Sequence, residues 1–194
     1  VGAHPGFPDL QGFGRRAMGL SAAEVYDVVL YQIGALSGFV QAQGARLGFV
    51  KAHGALYNLA AKDASLAEAI ARATRDFDRD LAFYGLAGSE LVRAGERLGL
   101  RTVSEVFGDR TYQDDGSLTP RSRPDAMIVD VERSAAQVRR MVLEGRVRSV
   151  NGVDVAVRAD TLCVHGDQPG ALDFARRIRE ELAQAGVDVL AIGR

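Results

Sequence analysis

Leu47-Gly48-Phe49-Val50-Lys51-Ala52-His53-Gly54 decides how this chain is read: a short apolar run that turns polar where it ends. A strand with one solvated face would show a polar residue at every second position. A run apolar on both faces suits a parallel sheet covered by helices. The same unit recurs at Leu81–Leu86, Arg101–Phe107, Ala126–Val129, Thr161–Val164 and Val187–Ile192, all predicted strands. Amphipathic helices are predicted between them. Val25, Val28, Val29, Ile33, Leu36 and Val40 form one apolar stripe, and Leu66, Ala69, Ile70, Ala73 and Phe77 form another. Ser21 with Glu24, Ser65 with Glu68, and Ser134 with Gln137 read as capping boxes. Pro169 reads as a first helical residue, while Gly99 and Gly186 read as the residues that end helices. Strand alternating with helix throughout predicts an α/β fold with a parallel sheet, open or closed into a barrel with the barrel preferred, in a single domain over residues 1–194.

Composition narrows the partners. Lys and Arg number 24 against 25 Asp and Glu, so no basic field draws the chain to nucleic acid or an anionic membrane. No apolar run approaches the roughly 20 residues that span a bilayer. One cysteine, Cys163, excludes an intrachain disulfide and a cysteine-rich metal site. It lies in an apolar strand, where an inert core thiol is expected. A reducing cytoplasm fits this usage best. Val1 opens the chain inside what reads as the end of a strand, without an initiator methionine, and an upstream segment is expected.

The polar residues fall where such a fold builds its sites. His4 follows the fragment at Val1, Lys51 and His53 close the second strand, and His165 and Asp167 close another. Glu105 lies near the end of Arg101–Phe107, which runs into Asp109 and Arg110. All three histidines of the chain thus stand at carboxyl ends of strands, the ends that converge on one face of parallel α/β folds. Each alone reads as a turn residue; together they predict a site on that face. Glu105 sits between Val103 and Phe107 in a run that should be buried, so it needs a cationic partner or a function. The glycine- and proline-rich stretch from Gly2 to Arg16 is expected to fold over the site, with Arg15 or Arg16 available for a carboxylate. A second irregular stretch, Gly108 to Asp125, is a candidate lid carrying Arg121 and Arg123, of which Arg123 reads as plain surface. The chain contains no P-loop, no G-x-G-x-x-G opening a helix, no G-x-S-x-G elbow and no H-E-x-x-H.

Four ordered segments carry a resemblance that covers the whole chain: His4-Pro5-Gly6-Phe7-Pro8-Asp9-Leu10-Gln11-Gly12-Phe13-Gly14-Arg15-Arg16, Val50-Lys51-Ala52-His53-Gly54-Ala55-Leu56-Tyr57-Asn58, Glu105-Val106-Phe107-Gly108-Asp109-Arg110 and Cys163-Val164-His165-Gly166-Asp167. They resemble the signatures of the LamB/YcsF family. Ala52, Gly108 and Gln168 depart from the family's usual proline, alanine and threonine and leave the polar residues intact. Family members also begin with an acidic Asp-Leu-Asn-Cys-Asp-like motif and a Gly-Phe-His-like motif, which this chain lacks. Its first strands, and part of the site, are therefore expected to be missing.

The resemblance implies a distorted TIM-type barrel of the glycoside hydrolase/deacetylase kind and ATP-dependent hydrolysis of 5-oxo-L-proline to L-glutamate. It implies B and C subunit partners and ATP (with Mg) as co-substrate, and it leaves a bound metal and self-association open. On this reading Lys51 and His53 stabilise charge on the lactam oxygen or its phosphate. Glu105 or Asp109 positions or deprotonates water, His165 with Asp167 forms an oriented acid–base pair, and Arg110 or Arg121 holds the substrate carboxylate. His4 lines the same mouth, as Arg15 does from its loop. Two rivals stand beside it. A metal-dependent carbohydrate deacetylase would hold a divalent ion with His53, His165 and Asp167, with His4 able to join. A non-catalytic subunit would bind substrate for its partners or regulate them.

Overall fold

The computed structural model describes residues 1–167 and 169–191, so Gln168 and the end of the last expected strand, Ile192, lie outside it. The chain folds as two compact units, Val1–Ser104 and Glu105–Arg194. No described helix is long and apolar enough to cross a membrane.

The first unit contains β1 (Gly2–Ala3), α1 (Ala22–Ala42), β2 (Phe49–Lys51), α2 (Gly54–Ala60), α3 (Ala64–Phe77), β3 (Ala82–Leu86), α4 (Glu90–Arg97) and the start of β4 (Arg101–Phe107). The strands lie in the order β1-β2-β3-β4. β1 pairs with β2 and β2 with β3, both in parallel, in a register that sets Ala3 beside Val50 and Lys51 beside Tyr84. β3 is buried along its whole length, as a strand covered on both faces must be. α1 packs against α3, and α3 against α4. Val25, Val29, Ile33 and Val40 of the α1 stripe are buried, and Ser21 and Glu24 form the expected reciprocal cap. Gly99 ends α4 with positive φ; its N–H bonds Glu96 O while Leu100 N–H bonds Gly95 O, the paired closure of a Schellman motif.

The second unit takes up the end of β4 and adds α5 (Val131–Glu144), β5 (Arg146–Arg148), β6 (Asp154–Ala156), β7 (Thr161–Cys163) and α6 (Ala171–Gln184). β7 pairs in parallel with β4, Glu105 opposite Thr161 and Phe107 opposite Cys163. α5 packs on α6, and Gly108 makes room for both. A Cβ there would meet Val138 Cγ2 of α5 at 3.1 Å and Ile178 Cδ1 of α6 at 3.2 Å.

The α/β class and its parallel pairing are as expected; several local expectations are corrected. Residues 126–129 form no strand. Ala126 O accepts from Thr111 N and Ile128 N donates to Asp109 O, so the segment pairs with the turn after β4 instead of entering the sheet. Residues 187–191 form no strand either: Val187 N–H closes the end of α6, and Val189 and Leu190 are exposed. β5 and β6, unexpected from the sequence, form an antiparallel hairpin. α3 is capped by Asp63, whose carboxylate accepts from Ser65 N and Leu66 N, two residues ahead of the expected box. Asp130 likewise caps α5, placing Ser134 and Gln137 inside the helix. α6 starts after Gly170, which leaves Pro169 just outside it.

Candidate functional site

Polar residues expected at a site gather in two groups, one in each unit. In the first unit, β1 delivers His4, β2 ends in Lys51, and His53 stands at the N-cap of α2. His4 Nδ1 donates to Lys51 O at 2.7 Å, His53 Nδ1 lies 3.1 Å from His4 Nε2, and His53 Nε2 donates to Phe13 O at 2.7 Å. His53 N–H also bonds Pro5 O, and Ala55 N–H bonds Gly14 O. The loop from Pro5 to Arg16 is thereby seated on the β2–α2 turn.

Glycines make that seat. A Cβ on Gly6 or Gly14 would stand 3.3 or 3.1 Å from His53 Cδ2, and one on Gly54 (φ +60) only 2.5 Å from Gly14 O. Gln32 of α1 clamps Gly6 at both backbone groups, donating to its carbonyl at 2.7 Å and accepting from its N–H at 3.0 Å. Asp9 accepts from Gly12 N and Arg16 Nε, and the Arg16 guanidinium holds its carboxyl down at about 2. Arg15 lies over the Phe13 ring and Lys51 Nζ over the Tyr57 ring.

The second group surrounds the end of β4. Glu105 is buried in the strand. Asp109, fully buried, accepts from the His165 backbone N–H at 2.8 Å and from His165 Nδ1–H at 2.8 Å, while Phe107 stacks on the imidazole. Burial on its own would raise the Asp109 pKa. The two hydrogen bonds and the attraction of His165 outweigh it and bring the carboxyl below its ordinary value. An ionised Asp109 only accepts, so Nδ1 carries a proton in the bond between them, and Nε2 is the ring nitrogen that faces away from the carboxylate. That atom makes no hydrogen bond among the described residues.

Side chains from α5 hold the turn in place. Ser134 Oγ donates to Gly108 O at 2.7 Å, and Gln137 Nε2 donates to Phe107 O and Arg110 O. Arg110 is buried and spends its guanidinium on Ala126 O and Thr119 O. Burial, then the charge of Arg121, pushes it down to about 10. Arg121 itself is exposed, and Asp167 lies in an exposed turn just beyond His165. The orienting partner of His165 is therefore Asp109, 56 positions away, and not Asp167. Sequence reasoning misses the parts played by Gln32, Ser134 and Gln137. The signal for Gln32 is a polar residue beside the apolar stripe of α1, whereas Ser134 and Gln137 read from sequence as a cap.

Among the described residues no three His, Cys, Asp or Glu side chains stand together as a metal ion would need. His53, His165 and Asp167 do not form such a group.

The LamB/YcsF family model matches residues 1–194. The chain is 61% identical over 191 residues to the 5-oxoprolinase A subunit of Bordetella pertussis (strain Tohama I), covering 98% of this chain and 76% of that one. It is 58% identical over 192 residues to the 5-oxoprolinase A subunit of Bacillus subtilis (strain 168), covering 99% and 75%. The crystal structure of a lactam utilization protein from Thermus thermophilus matches with a TM-score of 0.89 at 53% identity, over 99% of this chain and 76% of that one. The chain belongs to the LamB/YcsF family.

Proposed function

We propose that this chain is the A subunit of an ATP-dependent 5-oxoprolinase, working in the cytoplasm with B and C subunits. The reaction is 5-oxo-L-proline + ATP + 2 H2O → L-glutamate + ADP + phosphate. The names of the relatives, the 5-oxoprolinase A subunits and the lactam utilization protein, support hydrolysis of a cyclic amide. The need for ATP follows from the substrate. A five-membered lactam is a resonance-stabilised amide whose carbon resists water until the oxygen is phosphorylated.

The observation that carries the reading is the Asp109–His165 pair. A buried carboxylate fixes the ring and its tautomer, leaving Nε2 to take a proton from water and later return it to the departing ring nitrogen. Arg121, exposed and near enough to act on Arg110, is the better candidate for the substrate carboxylate, because Arg110 is already committed to two carbonyls. Lys51 remains the candidate for charge on the lactam oxygen or its phosphate.

The test is glutamate formation from 5-oxoproline and ATP by the complete protein, alone and with its B and C partners. Turnover that requires ATP and is abolished by His165→Gln supports the reading. Turnover unchanged by His165→Gln would remove His165 from catalysis. Calorimetric binding of 5-oxoproline with no turnover in the assembled complex would favour the substrate-binding role.

A further inference from the structure

We infer, resting on the 5-oxoprolinase reading, that Arg110 is a positioning residue: it braces residues 119–126 from inside, so that Arg121 stands as a fixed reader of the carboxylate on the lactam ring. Arg110 is only 3% exposed, yet no carboxylate oxygen bonds it. Its Nε donates to Ala126 O at 3.2 Å and its Nη2 to Thr119 O at 2.5 Å, so one planar fork spans both ends of the segment. Thr111 repeats the span. Its N–H bonds Ala126 O, its carbonyl accepts from Thr119 N–H, and its hydroxyl donates to Asp125 O at 2.7 Å. At the tip Arg123 N–H bonds Pro120 O, and the Arg123 guanidinium holds both oxygens of Asp125, at 2.9 and 2.7 Å. The third charged residue of the segment, Arg121, is exposed and makes no hydrogen bond or ion pair among the described residues.

A buried guanidinium ordinarily meets a carboxylate. Here burial and the charge of Arg121 both weigh against Arg110, and the carboxylate that offsets them, Asp109, has both oxygens turned to His165. Two like charges are thus held near one another at the turn that carries Asp109, and an anion seated beside Arg121 relieves the repulsion. The segment suits a carboxylate better than a phosphate. A carboxylate is matched by the paired N–H donors of a single guanidinium. A phosphate calls for a cradle of backbone amides, but the segment holds no glycine, Pro120 and Pro124 have no N–H, and the amides of Thr119, Arg123 and Ala126 are already bonded. Arg110, committed to two carbonyls, acts through Arg121. The pair thereby favours lactams that carry a carboxylate over neutral ones.

The test is steady-state kinetics of the complex assembled with B and C subunits. Arg121→Gln should raise KM for 5-oxoproline about tenfold and leave kcat within about twofold, as the loss of one charge-assisted contact predicts. Competition by 5-oxoprolinamide, the same ring without the charge, should be as strong as in the parent. An unchanged KM for 5-oxoproline, a rise in KM for ATP in its place, or an equal loss for acid and amide would overturn the inference. Arg110→Lys keeps the charge but cannot span both carbonyls, so it should raise KM for 5-oxoproline in the parent and add nothing in Arg121→Gln. Additive rises would give Arg110 its own contact with substrate and refute the positioning role. If Arg110→Lys does not fold, Arg123→Ala at the exposed tip asks the same question: KM should rise about threefold in the parent and not at all in Arg121→Gln. An unchanged KM in the parent would refute a fixed arm. Absence of 5-oxoproline turnover in the assembled parent, by contrast, would overturn the 5-oxoprolinase reading and the inference with it.

Discussion

Two groups of histidines stand at strand ends in this chain, and they are used in opposite ways. In the first unit His4 and His53 bond to two carbonyls and to each other, so no ring nitrogen is left over. In the second unit His165 is held at Nδ1 by the buried carboxylate of Asp109, and Nε2 makes no hydrogen bond among the described residues. A carbonyl holds a ring in place. A carboxylate holds it, fixes its tautomer and raises the basicity of the far nitrogen. What separates a fastener from a base is the partner and its burial, not the position of the histidine at the end of its strand.

The hardest way to break this comparison is Asp109→Asn. The amide keeps the shape of the carboxylate but removes the charge and lets the ring take the other tautomer, so turnover of 5-oxoproline should fall about 10³-fold. The rate of glutamate formation in the assembled complex measures it, and a loss under about tenfold would place the base elsewhere. The same carboxylate predicts a pH dependence. Because the Asp109 pKa is lowered in the folded state, its contribution to stability is present above the unfolded carboxylate value and is lost as pH falls through the folded value. The gap in urea midpoint between the parent and Asp109→Asn should therefore close on acidification.

Gly54→Ala tests the seat of the first unit. Positive φ and a Cβ only 2.5 Å from Gly14 O together predict a loss of about 2 kcal/mol or more by urea denaturation. Gly88→Ala is the control: its φ is also positive, but a Cβ there meets nothing within 4 Å, and about 1 kcal/mol is expected. Equal costs at the two sites would mean that the loop is not pressed against the β2–α2 turn.

The elements found from sequence were those whose own residues carry the signal. β4 runs over Arg101–Phe107 as expected, because Thr102, Val103, Val106 and Phe107 favour a strand and Gly108 closes it. Residues 126–129 are apolar throughout, and Ala126 and Ile128 are indeed buried, but burial in a loop and burial in a sheet read alike in a run of four. The β5–β6 hairpin went the other way. Asn151-Gly152 is a turn signal, but the strands it joins are three residues each, and Arg146, Arg148 and Asp154 are exposed. At the site, the positions of His4, Lys51, His53 and His165 were legible as strand ends. The pairing of His165 with Asp109 was not, since it links residues brought together by β4 and β7 lying side by side.

Two copies of one sequence pattern sharpen the contrast further. Ser65-x-x-Glu68 in the first unit and Ser134-x-x-Gln137 in the second both read as capping boxes, and neither is one, because an aspartate lies ahead of each. Ser134 is fully buried and satisfies Gly108 O at the turn that carries Asp109. Ser134→Ala strands that carbonyl and should cost about 1–3 kcal/mol, with a matching loss of turnover as the turn loosens.

Ser65 is exposed and supplies only a backbone N–H, which Asp63 accepts at 2.9 Å. Alanine keeps that N–H, so Ser65→Ala should change stability by less than about 0.5 kcal/mol, whereas Asp63→Ala should cost about 1 kcal/mol. Thermal denaturation of the two variants side by side ranks them. A reversal would return the cap to Ser65 and begin α3 two residues later. The expected order instead locates the strength of a helix start in whichever side-chain oxygen reaches the first-turn amides from outside the helix, and leaves the serine motif without energetic meaning of its own.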